Sequence, residues 1–212
     1  MPAVDPGRTR AWRGRARRGP WRRTTLALAL AAAVAGCATA PDPVRFPELT
    51  YAHLGRTRLA VGRIDIVDAY RPPLAPPNVD HRMPASPAAT MRRWAEDRLV
   101  AAGGDATARF VIRDARVTET ELPRDTGLAN VLRDQQAQRY DLVMDAALEI
   151  VDARGARLAI AAARTTRSRT VSENISANDR ERVWFEMVER AAADLSAELD
   201  RRIRANLGRY LR

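Results

Sequence analysis

Between Tyr140 and Ile150 one phase of the chain is apolar throughout and the other carries the acids. Tyr140, Leu142, Met144, Ala146, Leu148 and Ile150 fall in one phase, and Asp141, Asp145 and Glu149 in the other. A period of two puts these sets on opposite faces of a β-strand, and the apolar face demands a covering layer. Residues 152–155 (Asp-Ala-Arg-Gly) read as a turn, and residues 156–171 follow as a second strand, so a hairpin is expected. This stretch commits the chain to antiparallel sheet with something packed on one side.

The remaining elements are read around that hairpin. Residues 57–70 alternate in two phases, Leu59 and Val61, then Ile64 and Ile66, with Gly62 between them; one strand with a bulge at the glycine is expected. Residues 71–87 hold six prolines and read as a stiff extended loop, because proline removes the donor that helix and ladder need. Ser86 before Pro87 is a helix start. Met91, Trp94, Ala95, Leu99 and Ala102 share one face of that helix, and Gly103-Gly104 is expected to end it. Residues 107–122 read as one strand. A long closing helix carries the stripe Trp184, Val188, Ala191, Leu195, Leu199 and Ile203, with Asn178 and Glu181 as a capping box.

The order is strand, helix, three strands, helix. Two one-sided helices need one sheet face to cover, so the fold class expected is α+β. It is a two-layer sandwich of about four mainly antiparallel strands with both helices on one face.

The N-terminal region has a different character. Eight arginines fall in residues 8–23, and an apolar run follows from Leu26 to Ala35, too short for a bilayer core. A basic segment, a short apolar segment and small residues form the pattern of a cleaved signal peptide. The run ends at Val34-Ala35-Gly36-Cys37, and Cys37 is the only cysteine of the chain. One cysteine makes no internal disulfide and no metal site. Two readings stand. Cys37 is lipidated after cleavage before it, or Ala33-Val34-Ala35 is an ordinary cleavage site and Cys37 stays a free thiol. The expected organisation is residues 1–36 as signal, 37–56 as lipidated cysteine and tether, and 57–212 as one α+β domain.

Removing the signal changes the charge argument. The whole chain is +10, but eight of its 36 basic residues and one of its 26 acids lie in residues 1–36. That leaves 28 and 25, a net charge of +3, ordinary for a soluble domain. No basic strip is interleaved with aromatics, so nucleic-acid binding is not expected. No nucleophile elbow, metalloprotease helix or glycine-rich phosphate loop is present. The two histidines, His53 and His81, fall in the tether and the proline loop, as surface residues do. No catalytic residue, cofactor or metal is expected, and the sequence names no small-molecule ligand.

Three segments offer binding surfaces. Tyr70, Arg71 and Leu74 stand at the start of the proline loop, which is either a preordered contact for a partner or a rigid crossover. Residues 124–139 form a long connection between two strands, where Leu128, Val131 and Leu132 make either an apolar contact patch or packing on the sheet edge. This connection is the favoured partner surface. Arg167 and Arg169 share a strand face and suit an anionic glycolipid or an acidic partner. The alternative is that these arginines and Arg164 pair across strands with Asp141, Asp145 or Glu149.

The VAGC motif at Cys37 and the element order together resemble two groups of bacterial envelope lipoproteins. These are the auxiliary lipoproteins of ABC-type transport systems and the lipoprotein of the lipopolysaccharide-assembly barrel. The resemblance implies a non-enzymatic accessory protein, anchored by lipid and joined to an envelope protein complex. Ala38 after the cysteine then implies the outer membrane, facing the periplasm, rather than the inner membrane. A periplasmic carrier of lipid or glycolipid is the alternative; the small residues 158–163 either leave room for a ligand or let a helix pack closely.

Overall fold

The computed structural model describes residues 45–123 and 135–212. Its centre is the hairpin of β6 (Gln136–Val151) and β7 (Arg157–Ser172), 16 residues each. Pairing runs from Tyr140↔Arg169 through Ala146↔Ala163 to Ile150↔Ala159. Asp152 makes the turn, its Oδ1 accepting from the N–H groups of Arg154 and Ala156 at 2.9 and 2.8 Å. Gly155 follows with φ +83, a left-handed conformation that glycine adopts without strain.

The expected apolar face of β6 is fully buried. Its other face is less open than the alternation implies, because Val143, Ala147 and Val151 are buried too. Ion pairs surround them. Asp145 accepts from Arg113 Nε at 2.8 Å and Arg164 at 3.3 Å, Glu149 from Arg157 at 3.2 Å, and Asp141 from Arg139 at 2.8 Å.

The strand expected over 107–122 is divided. β4 (Thr107–Asp114) and β5 (Val117–Glu121) lie end to end along the same edge of β6, with a register shift between Ile112 and Asp114. Asp114 causes the break: its Oδ1 accepts the Arg116 N–H at 3.1 Å and turns the backbone out of the ladder.

The single bulged strand expected over 57–70 is also corrected. Thr57–Leu59 (β1) and Arg63–Asp68 (β2) belong to different sheets. β2 runs parallel to β4 at the border of the five-stranded sheet, and β1 pairs with Leu99–Ala101 (β3) in a parallel two-stranded sheet. Two glycines make the switch possible. A Cβ on Gly62 would sit 2.6 Å from Gly104 O, and one on Gly104, at φ +134, would sit 2.8 Å from Ala60 O. Only two bare backbones can cross so closely.

Both helices lie on the predicted side. α1 (Pro87–Arg98) starts as expected, with Ser86 Oγ accepting the Ala89 N–H and Pro87 at the first position. It stops at Arg98, before Gly103-Gly104, because Leu99 turns extended (φ −99, ψ 134) to pair with β1. α2 (Ala177–Asn206) is capped by Ser176, not Asn178: Ser176 Oγ accepts the Asp179 N–H at 3.1 Å. Its whole expected stripe is buried. Trp94 links the layers, stacked on Phe110 at 5.4 Å and donating to Ser196 Oγ at 2.8 Å. The architecture is α+β, with a mostly antiparallel sheet and two helices over one face.

The packed chain begins earlier than the boundary at residue 57. Phe46 stacks on Phe185 at 4.9 Å, and Tyr51 is buried. Asp97 Oδ2 on α1 accepts from Tyr51 N at 2.8 Å and from the Thr50 hydroxyl at 2.9 Å. Residues 46–54 therefore dock on the helices, through apolar side chains that a free tether would leave in water. At the other end Arg212 N donates to Arg58 O and Ala60 N to Tyr210 O, closing the small sheet.

Candidate functional site

The proline loop does two things. Its second half lies along the free side of β5: Glu119 N–H donates to Pro77 O and Val79 N–H to Val117 O, each at 2.8 Å. Asn78 bridges Thr118. A proline has no N–H to waste on the outer side of such a strand, so this sequence suits an edge. The first half stands away from the sheet. Arg71 is exposed, and Leu74 is 64% exposed with φ +57, a left-handed conformation unusual for leucine. Holding an apolar side chain out in water on a strained backbone is how a loop presents a contact.

Tyr70 behaves differently from its two neighbours. It is half-buried and packs against the core. Burial, then the Asp80 carboxylate, pushes its phenol up to about 12. Asp80 is 5% exposed, and neither the Tyr70 hydroxyl nor Asp80 Oδ1 completes a hydrogen bond among the described residues. The backbone bonds of Pro77 and Val79 to β5 anchor the base of the loop, and Arg71 and Leu74 are exposed beyond it.

Beside this anchor a cleft of about 610 Å³ opens between the loop and β5, bordered by Pro76, Val79, His81, Arg82, Glu119 and Glu121. The chain enters residues 124–134 at this same end. Leu122 N–H donates to Ala137 O across their two ends, and Glu173 N–H to Gln135 O. Leu128, Val131 and Leu132 lie outside the described residues, as does Cys37.

Arg167 and Arg169 share the helix-side face of β7, opposite Leu142 and Tyr140. Arg167 pairs with Asp194 of α2, not with an acid of β6. Its partner comes from the helix because its side chain stands on the covered face, while Asp141, Asp145 and Glu149 stand on the other. Arg164 is on that other face and does pair with Asp145. Arg169 is exposed and makes no ion pair among the described residues.

A second cleft of about 390 Å³ lies between residues 49–54 and α2, with Leu49, Tyr51, Leu54, Ala193 and Ala197 as its apolar wall. The sequence reading missed it. Phe46, Leu49 and Tyr51, close together in a supposed tether, were the signal for it. Of the two readings of residues 158–163, close packing describes Ala161 and Ala163, which are buried in the core under α2. Among the described residues no three His, Cys, Asp or Glu side chains converge as metal ligands, and no helix is long and apolar enough to cross a membrane.

No family model matches the chain, and no curated protein does. Solved structures similar to it include a minor lipoprotein from Acinetobacter baumannii, at 12% identity. That match covers 68% of this chain and 90% of the other, with a TM-score of 0.38. Rare lipoprotein B from Shewanella oneidensis matches at 7% identity over 68% of this chain and 95% of its own, with a TM-score of 0.36. Likeness at this level carries nothing further for this chain.

Proposed function

We propose that the protein is a lipid-anchored, non-enzymatic accessory component of a bacterial envelope complex, held on the periplasmic face of the outer membrane through Cys37. The observation that carries this reading is the sequence around the cysteine: eight arginines, a short apolar run and Val34-Ala35-Gly36-Cys37. The exposed Arg71 and Leu74 on a firmly anchored loop support a role in holding a partner. Acylation at Cys37 supplies about 0.8 kcal/mol per buried CH₂, and two or more chains make a stable anchor where one does not.

The test is fractionation of cells making the wild type and Cys37→Ser. The wild type is expected in the membrane fraction with an intact mass that includes lipid, and the variant free in the periplasm. Equal solubility of the two, or a lipid-free wild-type mass, would end the proposal. The cleft between residues 49–54 and α2 favours a second reading, a carrier of a single apolar chain. Co-purification of lipid with Cys37→Ser would support it.

A further inference from the structure

β7 has β6 on one side and no strand on the other among the described residues. The ladder itself shows which peptide groups face the open side. Val143 N–H donates to Arg116 O at 2.9 Å, so odd-numbered residues in this part of β6 turn their peptide groups toward β5, and even-numbered ones toward β7. The pairs Leu142↔Arg167, Met144↔Thr165 and Ala146↔Ala163 are then the hydrogen-bonded ones. In β7, Ala162, Arg164, Thr166, Ser168 and Thr170 therefore point their N–H and C=O groups outward. Leu158 and Ile160 share that parity, and their carbonyls accept from Arg209 Nη2 and Asn206 Nδ2, each at 3.2 Å. Asn206 at the end of α2 and Arg209 just beyond it thus close the first part of the edge, and residues 162–170 have no backbone partner there among the described residues.

A long open edge is a template for another strand unless it is guarded. This one has a particular character. β7 carries four arginines (157, 164, 167 and 169) and no acid. Arg169 has no ion pair among the described residues, and Arg164 is half exposed with a 3.3 Å contact to Asp145. Alongside, α2 sets Asp194, Glu198, Arg201 and Arg202 on a groove of about 400 Å³ whose strand side includes Ala162 and Thr165. An edge strand beside a helix wall, with small residues on the strand, is the layout that receives an extended peptide.

We infer that the outer edge of β7, residues 162–170, accepts an extended acidic segment of a partner protein as an added strand. This rests on the accessory role proposed above. Two copies of this chain pair poorly here, because no register sets an acid of β7 against an arginine of β7, and like charges across strands repel. A partner strand with acids in alternation carries them all on one face, where they meet either Arg164 or Arg169 according to which face it turns.

The test uses the full chain in detergent, with a ten-residue peptide of alternating Glu and Val as probe and a Lys-Val peptide as its counterpart. In the protein alone the amides of Arg164, Thr166 and Ser168 are expected to exchange with solvent rapidly. The Glu-Val peptide should slow them at least tenfold, and the Lys-Val peptide should not. Thr166→Pro removes only an outward N–H, so it should keep the melting temperature within a few degrees and abolish the slowing. No slowing by the Glu-Val peptide, or equal slowing by both, overturns the inference. Slowing that grows with protein concentration alone also overturns it, by placing a second copy on the edge. A chain found on membranes with an unresponsive edge sinks this inference alone; a soluble wild type with a responsive edge sinks only the anchored role.

Discussion

Arg98 offers the sharpest test of how the two helices are joined. It is the last residue of α1, 5% exposed, with Nη2 at 2.8 Å from Asp200 Oδ1 and its guanidinium 5.7 Å from the centre of the Trp94 ring. Nε and Nη1 have no acceptor among the described residues, so Asp200 offsets most of a buried charge. Breaking a buried pair from one side costs about 3–5 kcal/mol, because the remaining charge stays buried. The Asp200 side chain keeps 23% exposure, which admits some water and brings the cost to the bottom of that range or just below it, about 2–3 kcal/mol. At roughly 2–4 °C per kcal/mol for a domain of this size, Asp200→Ala should lower Tm by about 4–12 °C. Arg98→Leu removes the charge along with its partner's task and keeps apolar contact with Trp94, so it should cost about 1 kcal/mol or less. The double variant should resemble Arg98→Leu. Urea unfolding of the three variants decides it. If Arg98→Leu proves costlier than Asp200→Ala, Asp200 is not compensating a buried cation and the reasoning fails.

Gly62→Ala should destabilise by about 1–3 kcal/mol in the same assay, since its methyl meets the Gly104 carbonyl and neither backbone can yield cheaply. Ser176→Ala should cost about 1 kcal/mol as a lost helix cap, and Asn178→Ala only a few tenths; the reverse order would restore Asn178 as the cap. The Asp97 carboxyl is held below its ordinary value of 3.8, chiefly by the Tyr51 N–H and then by the Thr50 hydroxyl and Arg93. A lowered folded-state pKa gives stability that is present above the unfolded value and lost as pH falls through the folded one. Residues 46–54 should therefore become protease-sensitive below pH 3.8 before the sheet unfolds, and Asp97→Asn should make them so at neutral pH. Unchanged cleavage in that variant would mean that apolar packing alone holds the segment.

The elements legible in the sequence were those whose pattern is written by a single neighbour layer. The β6–β7 hairpin, the Ser86-Pro87 helix start and the α2 stripe each follow from periodicity or from a local hydrogen bond, and each stands where expected. The errors cluster where two distant segments meet. Gly62 reads as a bulge until Gly104 is seen 42 residues away in sequence, crossing against it. α1 loses its last expected turn because Leu99 gains a strand partner in β1, a contact that no propensity encodes. The same holds for Tyr51, whose place under Asp97 turns an apparent tether into part of the domain.

The candidate sites divide in the same way. The proposal for Cys37 rests wholly on sequence, on residue types in a fixed order around the cysteine. The presentation of Arg71 and Leu74 needed both levels: prolines stiffen the loop, but only the backbone bonds to β5 show which half is held and which projects. The open edge of β7 belonged to the fold alone. Alternation fixes which face a side chain takes, whatever the neighbours, because it follows from the geometry of one strand. Which peptide groups remain free depends on which side the next strand lies, and that was settled only when β6 took one side of β7, with no strand on the other among the described residues.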